Sequence, residues 1–294
     1  MKNFGKARPK RRPILSESAP DGRFVDLHLH TKHSDGSDSP TRVVERAVDC
    51  GLSALAITDH DTLSGVAEGA EAAARSGIEF LSGVEISSKL DGNEVHILGL
   101  GVDSGPGPLL DALEGQSEGR RSRAERMVAR LNELGVPVDL KRIETKTAEG
   151  VVGRMHVAQE IVAVGYAETV QEAFDKYIKA GRPAYVPKDV IAIGEAVELI
   201  HGAKGLAFVA HPGLGNLHRR LDALLEHPFD GIEVYHSRHA PGRVKQFEDV
   251  VRAKGLLATG GSDCHGTVKG ESPLMGRARV PYRIYEQLTA ALAG

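Results

Sequence analysis

From residue 24 onward, short apolar runs alternate with stretches whose apolar residues recur every three or four positions. That is the pattern of strands interleaved with helices, and it predicts an α/β fold. The strand-like runs are 24–30, 54–60, 79–85, 94–100, 206–211, 231–235 and 256–263; helical patterns fall at 40–51, 64–76, 193–202, 217–226 and 242–253. Asp91-Gly92-Asn93 reads as a tight turn, so the third and fourth strands are expected to form a hairpin. Between Asp103 and Pro187 the strand pattern stops. A loop rich in glycine and proline (Ser104-Gly105-Pro106-Gly107-Pro108) leads into helical stretches at 117–134, 154–164 and 169–180, read as an insertion that caps a barrel mouth. The expected organisation is a basic disordered tail (1–23), a first part of the barrel (24–103), the helical cap (104–188) and a second part of the barrel (189–294).

The polar residues fall in an informative place. In Val25-Asp26-Leu27-His28-Leu29-His30 apolar and polar residues alternate, so a strand turns Asp26, His28 and His30 to one face. Two imidazoles about 7 Å apart along a strand can both lean toward one ion. One HxH is weak evidence, but nearly every later strand also carries a metal-competent residue near its end. These are Asp59-His60, Glu85, His96, His211, Glu233 to His236, and Asp263-Cys264-His265. In a β/α barrel the C-terminal strand ends converge on one face, where such folds place their chemistry. Histidines clustered with carboxylates favour borderline cations, manganese first, with iron(II) or zinc as alternatives. Glu85 is placed to bridge two of them. Two or three clustered cations suit phosphoester hydrolysis, because they bind phosphoryl oxygens, acidify a bound water and stabilise the leaving oxygen.

Composition narrows this by exclusion. The 294 residues carry a net charge of −3, with 41% hydrophobic and 26% charged positions, which argues against wholesale binding of nucleic acid or membrane. Two cysteines are too few for a disulfide framework, so a cytoplasmic location is expected. No apolar run is long enough to cross a bilayer. Lys2, Lys6, Arg8, Lys10, Arg11 and Arg12 make the N-terminus basic; it reads as a tail, with an arm that draws in a polyanion such as RNA as the alternative. No obligate protein partner is evident.

The ordered set Asp26-x-His28-x-His30-Thr31, Ser34-Asp35-Gly36, Thr58-Asp59-His60-Asp61, Gly83-Val84-Glu85, His96, His211-Pro212 and Ser262-Asp263-x-His265 resembles the motifs of the PHP (polymerase and histidinol phosphatase) domain. The resemblance spans roughly residues 24 to 280 and is nearest to stand-alone, TrpH-like members. It implies a distorted seven-stranded barrel, a trinuclear metal site and a helical insertion after the fourth strand. It also implies an activity similar to that of phosphatases acting on 3′,5′-bisphosphonucleotides, or of 5′–3′ exonucleases trimming short RNAs. By the resemblance, His28, His30, Glu85 and Asp263 would hold one cation, and Glu85 would bridge to a second on His96 and His211. Asp35, His60 and His265 would hold the third. Asp35, where many relatives carry a histidine, rests on the resemblance alone.

Other positions are expected to support these. Asp26 and Asp59 are read as hydrogen-bonding an imidazole N–H. Asp263, His60, His236 and Arg154 are expected to carry the reaction, with His236 contacting substrate or donating a proton. His33, Arg154, His156 and Lys188 are candidate phosphate contacts, since an arginine at a helix N-terminus binds phosphate well; His239 is a weaker candidate. His201, His218 and His227 read as solvated. Arg120, Arg121, Arg123, Arg126 and Arg130 spread around a helix as a solvated face rather than an RNA track. Cys264 and Cys50 read as packing residues. The rival readings are a histidinol-phosphate phosphatase, an amidohydrolase barrel, disfavoured by the third-strand glutamate and the Asp-x-His ending, and a non-catalytic metal-binding module.

Overall fold

The hairpin expected at residue 91 organises the sheet. Asp91 (φ 47°) and Gly92 (φ 78°) both adopt the left-handed conformation of a tight two-residue turn, joining β3 (Glu79–Leu90) to β4 (Asn93–Leu100) in antiparallel register. In this computed structural model, which describes residues 22–146, 152–187, 190–267 and 274–294, the remaining strands are β1 (Phe24–Leu29), β2 (Ala54–Ile57), β5 (Leu206–Val209), β6 (Gly231–His236), β7 (Leu257–Gly261) and β8 (Val280–Pro281). They form one sheet in the order β7-β6-β5-β4-β3-β2-β1-β8, parallel except at the pairs made by β4 and β8. All seven expected strands are present. The eighth is two residues long, too short to show a period in the sequence.

The helices are α1 (Pro40–Asp49), α2 (Val66–Ser76), α3 (Pro108–Glu133), α4 (Leu140–Lys146), α5 (Arg154–Ala163), α6 (Val170–Ala173), α7 (Ile193–Gly202), α8 (Leu221–Leu224), α9 (Pro241–Lys254) and α10 (Tyr282–Ala293). Local chemistry sets several of their ends. Ser39 caps α1 by accepting from the Arg42 N–H, ahead of Pro40 at the first position, and α2 and α9 stop at left-handed Gly77 and Gly255. Three expectations change. The helix expected from residue 117 begins at Pro108, because Leu109 and Leu113 bury against the barrel. The one expected at 217–226 is a 3-10 turn (Leu217–Arg220) followed by the single turn α8. The stretch 169–180 is α6 followed by a π turn (Phe174–Ile178). Helices α4 and α10 were not anticipated.

Three apolar cores result among the described residues; the smallest packs Val43 and Val44 of α1 and Ala72 of α2 against Leu29, Leu55 and Ile57 of β1 and β2. Leu27, Val84, Ile97, Phe208, Ile232 and Leu288 belong to the barrel core. A second core joins Met127 and Leu131 of α3 to Ile143, Val157, Ile161 and Ile178. Helix α3 thus starts on the barrel and ends in the helical layer, which fixes that layer over one end of the sheet.

The sheet nearly closes on itself. The His30 N–H donates to the Cys264 carbonyl (3.1 Å) and the Asp263 N–H to the His28 carbonyl (3.0 Å), so β1 is stitched to the chain leaving β7. Gly261 permits this approach: a Cβ there would lie 2.4 Å from the His28 Cβ and 2.5 Å from its backbone nitrogen. Gly261→Ala is expected to cost about 1–3 kcal/mol of stability, read as a lowered midpoint in denaturant. An unchanged midpoint would mean that the strands can separate without loss. Among the described residues no helix is long and apolar enough to cross a membrane.

Candidate metal centre

Glu85 lies at the centre of the cluster. It sits midway along β3 rather than at its end, because β3 and β4 run on past the barrel rim as the hairpin. Its carboxylate is fully buried. One oxygen, Oε2, lies 3.3 Å from the Nε2 atoms of His28 and His30 and 3.0 Å from His60 Nδ1. The other, Oε1, lies 3.0 Å from His96 Nδ1 and 2.9 Å from His211 Nε2. Asp263 Oδ1 stands 3.2 Å from His30 Nε2, and Asp35 Oδ1 stands 2.9 Å from His265 Nε2. The nine residues expected to share cations therefore meet in one place. His30 and His265 stack with ring centroids 4.2 Å apart.

The backbone is bent to make this possible. His211 (φ 29°) and Asp263 (φ 55°) both occupy the left-handed region that non-glycine residues avoid, a strain that concentrates at functional sites. Bulges shift the register in β1 between Asp26 and Leu29 and in β6 between Glu233 and Tyr235. The second bulge lets Glu233 and His236 both face the cluster, which strict alternation forbids.

The donor set fits divalent cations. His28 Nε2, His30 Nε2, Asp35 Oδ1, His60 Nδ1, Glu85 Oε2, His96 Nδ1 and His265 Nε2 are buried and have no hydrogen-bond partner among the described residues. Buried polar atoms are normally satisfied, and here they lie side by side without the alignment hydrogen bonds need. Three overlapping groups place their ligand atoms within 4.8 Å of one another: His28, His30, Glu85 and Asp263; His30, Asp35, His60 and His265; and His60, Glu85 and His96. His30, His60 and Glu85 thus each serve two groups. Burial works against charge throughout, yet the ions hold one another. Burial would raise Glu85, but His60, His96 and His28 keep it well below the usual carboxylate range. Burial would lower His30 and His96, but Asp263 and Glu85 push His30 up to about 9, and Glu85 pushes His96 up to about 10. A cation entering such a site takes the place of those protons.

The sequence marks Glu233 as metal-competent near the end of the sixth strand but gives it no role of its own. Glu233 is buried on β6, where its Oε1 pairs with His28 Nδ1 (3.0 Å) and its Oε2 accepts the His211 N–H (2.6 Å). It thus aims one ring and anchors the backbone of a second. Strict alternation would put Glu233 and His236 on opposite faces, and only the bulge brings both to the cluster.

Asp26 and Asp59 do not hydrogen-bond imidazoles as expected; both hold loops. Asp26 accepts from the Ser262 and Gly276 N–H groups (2.8 and 3.4 Å), and Asp59 from the Thr31 N–H, the Thr31 hydroxyl and the Ser34 hydroxyl (2.7, 2.6 and 2.6 Å). The loop that Asp59 holds delivers Asp35. Asp59→Ala is expected to weaken folding by about 1–3 kcal/mol through unsatisfied buried donors, measured by denaturant unfolding. A change below half a kcal/mol would show the loop to be held elsewhere.

Arg120 and Arg123 overturn the solvated-face reading of their helix. They line a cavity of about 160 Å³ with Asp35, His60, Arg154 and His156, directly beside the cluster. Arg120 is held by Asp61 and by Ser87 Oγ (3.0 Å), and its buried Nε has no hydrogen-bond partner among the described residues. Arg123 donates to the Val186 carbonyl (2.7 Å). Burial, with repulsion from Arg123 and Arg154, lowers the Arg120 guanidinium to about 10, and burial, with repulsion from Arg154 and Arg126, lowers that of Arg123 to about 10. Arg121, Arg126 and Arg130 are exposed, as expected.

Arg154 pairs with Glu94 (3.1 Å) at this cavity, and His156 Nδ1 accepts the Gly153 N–H (3.1 Å). His33 is half-buried, and no described contact brings it into the cluster or this cavity. Lys188 lies outside the described residues. His236 is buried with Nε2 3.7 Å from Asp263 Oδ2. His239 bonds the Val234 carbonyl (2.9 Å) and the Gly213 N–H (3.1 Å), and burial lowers it to about 4, so it is a neutral brace. His201, His218 and His227 are exposed or half-exposed, and His201 pairs with Asp230 (2.8 Å). Cys264 is buried, but Cys50 is exposed, because it caps the C-terminus of α1 on the solvent side.

Residues 26–138 match the model of the PHP domain. The chain is 37% identical over 249 residues to the 5′-3′ exoribonuclease Rnm of Escherichia coli, covering 82% of this chain and 85% of that protein. The chain belongs to the PHP family. It is also 38% identical over 253 residues to the 3′,5′-nucleoside bisphosphate phosphatase of Chromobacterium violaceum, covering 84% of this chain and 88% of that one. Its fold superposes on a Bifidobacterium adolescentis protein described as a metal-dependent phosphoesterase, with a TM-score of 0.81, 30% identity and coverage of 91% and 96%. This PHP protein is thus a metal-dependent phosphoesterase, a hydrolase of phosphoric esters.

Proposed function

We propose that this PHP protein cleaves the 3′-phosphate ester of a nucleotide that carries a 5′-phosphate. The observation that carries the reading is the arginine cavity beside the metal cluster. A phosphoryl group at the cluster accounts for the histidines and carboxylates; Arg120, Arg123 and Arg154 call for a second anion a short distance away. A 3′,5′-bisphosphonucleotide supplies both, and so does the 5′-terminal nucleotide of a short RNA. The two relatives act on these two substrate types by name, and one site geometry serves both.

His28, His30, Asp35, His60, Glu85, His96, His211, Asp263 and His265 would hold two or three divalent cations, manganese by preference with iron(II) or zinc as alternatives. Bound there, they supply positive charge for the phosphoryl oxygens and an acidified water. In the reaction a water oxygen bonds to phosphorus, the bond from phosphorus to the 3′-oxygen breaks, and the departing oxygen takes a proton. His236, whose buried Nε2 has no hydrogen-bond partner among the described residues, is placed to hold that proton. Arg154 and His156 orient the 5′-phosphate, and Arg120, fixed by Asp61, excludes substrates without one. Two unpaired cysteines fit a cytoplasmic location.

The test is a panel of 3′,5′-bisphosphoadenosine, AMP, histidinol phosphate and a 5′-phosphorylated short RNA, assayed with Mn²⁺. The bisphosphate is expected to yield AMP and phosphate, with AMP and histidinol phosphate at least about 100-fold poorer in kcat/KM. Preference for histidinol phosphate or AMP would overturn the reading. Full metal loading with no turnover of any ester would favour a non-catalytic module. Arg154→Met is expected to raise KM for the bisphosphate by about 10-fold or more, the scale of one lost charge-assisted contact, with kcat little changed. An equal loss with a substrate lacking the 5′-phosphate would show that Arg154 acts on the reaction centre instead.

A further inference from the structure

A second groove leaves the metal cluster, and the reaction above gives it no role. It is walled by Asn93, Glu94 and His96 of β4, by His211, and by the turn that carries Asn216 and Arg219. Glu94 and His96 also wall the arginine cavity, so the two spaces meet at the cluster. They differ in size and character. The arginine cavity, about 160 Å³, suits a compact group such as a phosphate. The groove, about 400 Å³, reaches the surface past exposed Gly215, Asn216 and Arg219.

The turn is a built part of the rim. Gly215 (φ 56°) and Asn216 (φ 64°) are consecutive left-handed residues that reverse the chain. Leu217 packs on the barrel core, Leu221 is buried in it, and the Gly213 N–H is held by buried His239. Both carboxylates on this side are already engaged by arginine: Glu94 by Arg154, and Asp91 by Arg220. Arg219 makes no ion pair among the described residues and is exposed.

We infer that this groove carries the strand on the 3′ side of the scissile phosphate in a single-stranded polynucleotide, with Arg219 on a downstream backbone phosphate. The inference rests on the nucleotide phosphoesterase reading above. A terminal 3′-phosphate has no further substituent and needs no groove. An internal phosphodiester carries the next nucleoside on one of its oxygens, and that nucleoside needs open space beside the cluster. Bond breaking is the same in both cases: water adds to phosphorus, the 3′-oxygen departs with a proton, and the shortened strand keeps its 5′-phosphate.

The experiment compares wild type with Arg219→Ala and Arg219→Glu on 3′,5′-bisphosphoadenosine and on 5′-phosphorylated di-, tri- and hexaribonucleotides. Arg219→Glu is expected to raise KM for the hexamer about tenfold or more. The slope of log(kcat/KM) against log salt should become shallower by about 0.7, the loss of one phosphate contact on a single strand. Bisphosphonucleotide kinetics should stay within twofold. Unchanged hexamer kinetics, or an equal loss on the bisphosphonucleotide, overturns the groove. Wild type that cleaves the bisphosphonucleotide but no oligonucleotide overturns it and leaves the parent reading standing. No turnover of either substrate class overturns both. Melting temperatures of the variants separate a lost contact from a lost fold.

Discussion

Glu85→Gln is expected to abolish turnover, by on the order of a thousandfold or more, and to reduce bound metal below one equivalent while the fold persists. The glutamine keeps the shape and removes the charge that five imidazoles surround. A removed partner ordinarily strands a buried charge. Here His30 and His96 can release their protons instead, because the carboxylates hold them charged. Metal content by elemental analysis, phosphate release and far-ultraviolet circular dichroism read the three quantities separately. Wild-type metal content in Glu85→Gln would show that Glu85 does not bridge the cations.

Glu233→Gln is expected to weaken metal affinity by about 10–100-fold, the usual effect of removing a carboxylate that orients a ligating histidine. The residue touches no cation in this account. It fixes the His28 ring through Nδ1, so that Nε2 faces the cluster, and it anchors the His211 backbone, which is held in the left-handed region. An amide keeps one acceptor but sets an N–H₂ against one of those two donors. Loss of affinity should be read by competition with a chelating indicator, and saturating Mn²⁺ should restore most of kcat. That recovery separates positioning from reaction, since excess metal cannot replace a group that takes part in bond breaking. Affinity within twofold of wild type would reduce Glu233 to a packing residue.

The parts of the site legible in the sequence are those where strand alternation and strand ends agree. His28 and His30 announce themselves by period two, and Asp59-His60, His211 and Asp263 to His265 by following apolar runs. Glu85 and His96 were found although they lie within their strands. The hairpin extends beyond the rim, and an apolar run shows where a strand passes, not where the barrel ends. Asp35 needed a resemblance, because it sits in a loop whose course is set by hydrogen bonds to Asp59.

The misses have physical causes. Glu233 is visible as a metal-competent residue, but its role is not, because a bulge breaks the alternation that would assign it a face. Arg120 and Arg123 escaped because α3 serves three surroundings along its length: the barrel core at Leu109 and Leu113, the second core from Ala124 to Leu131, and the cavity between. A helix with different neighbours at each turn shows no single apolar stripe, and its arginines then look solvated. Gly115 and Gly119 further obscured its first half, so the helix was expected to begin nine residues too late.

The most direct test titrates Mn²⁺ into chelator-stripped, folded protein while phosphate release from 3′,5′-bisphosphoadenosine is followed. No turnover is expected at the start, followed by a rise that saturates at two to three equivalents per chain. Full turnover before any metal is added would contradict it.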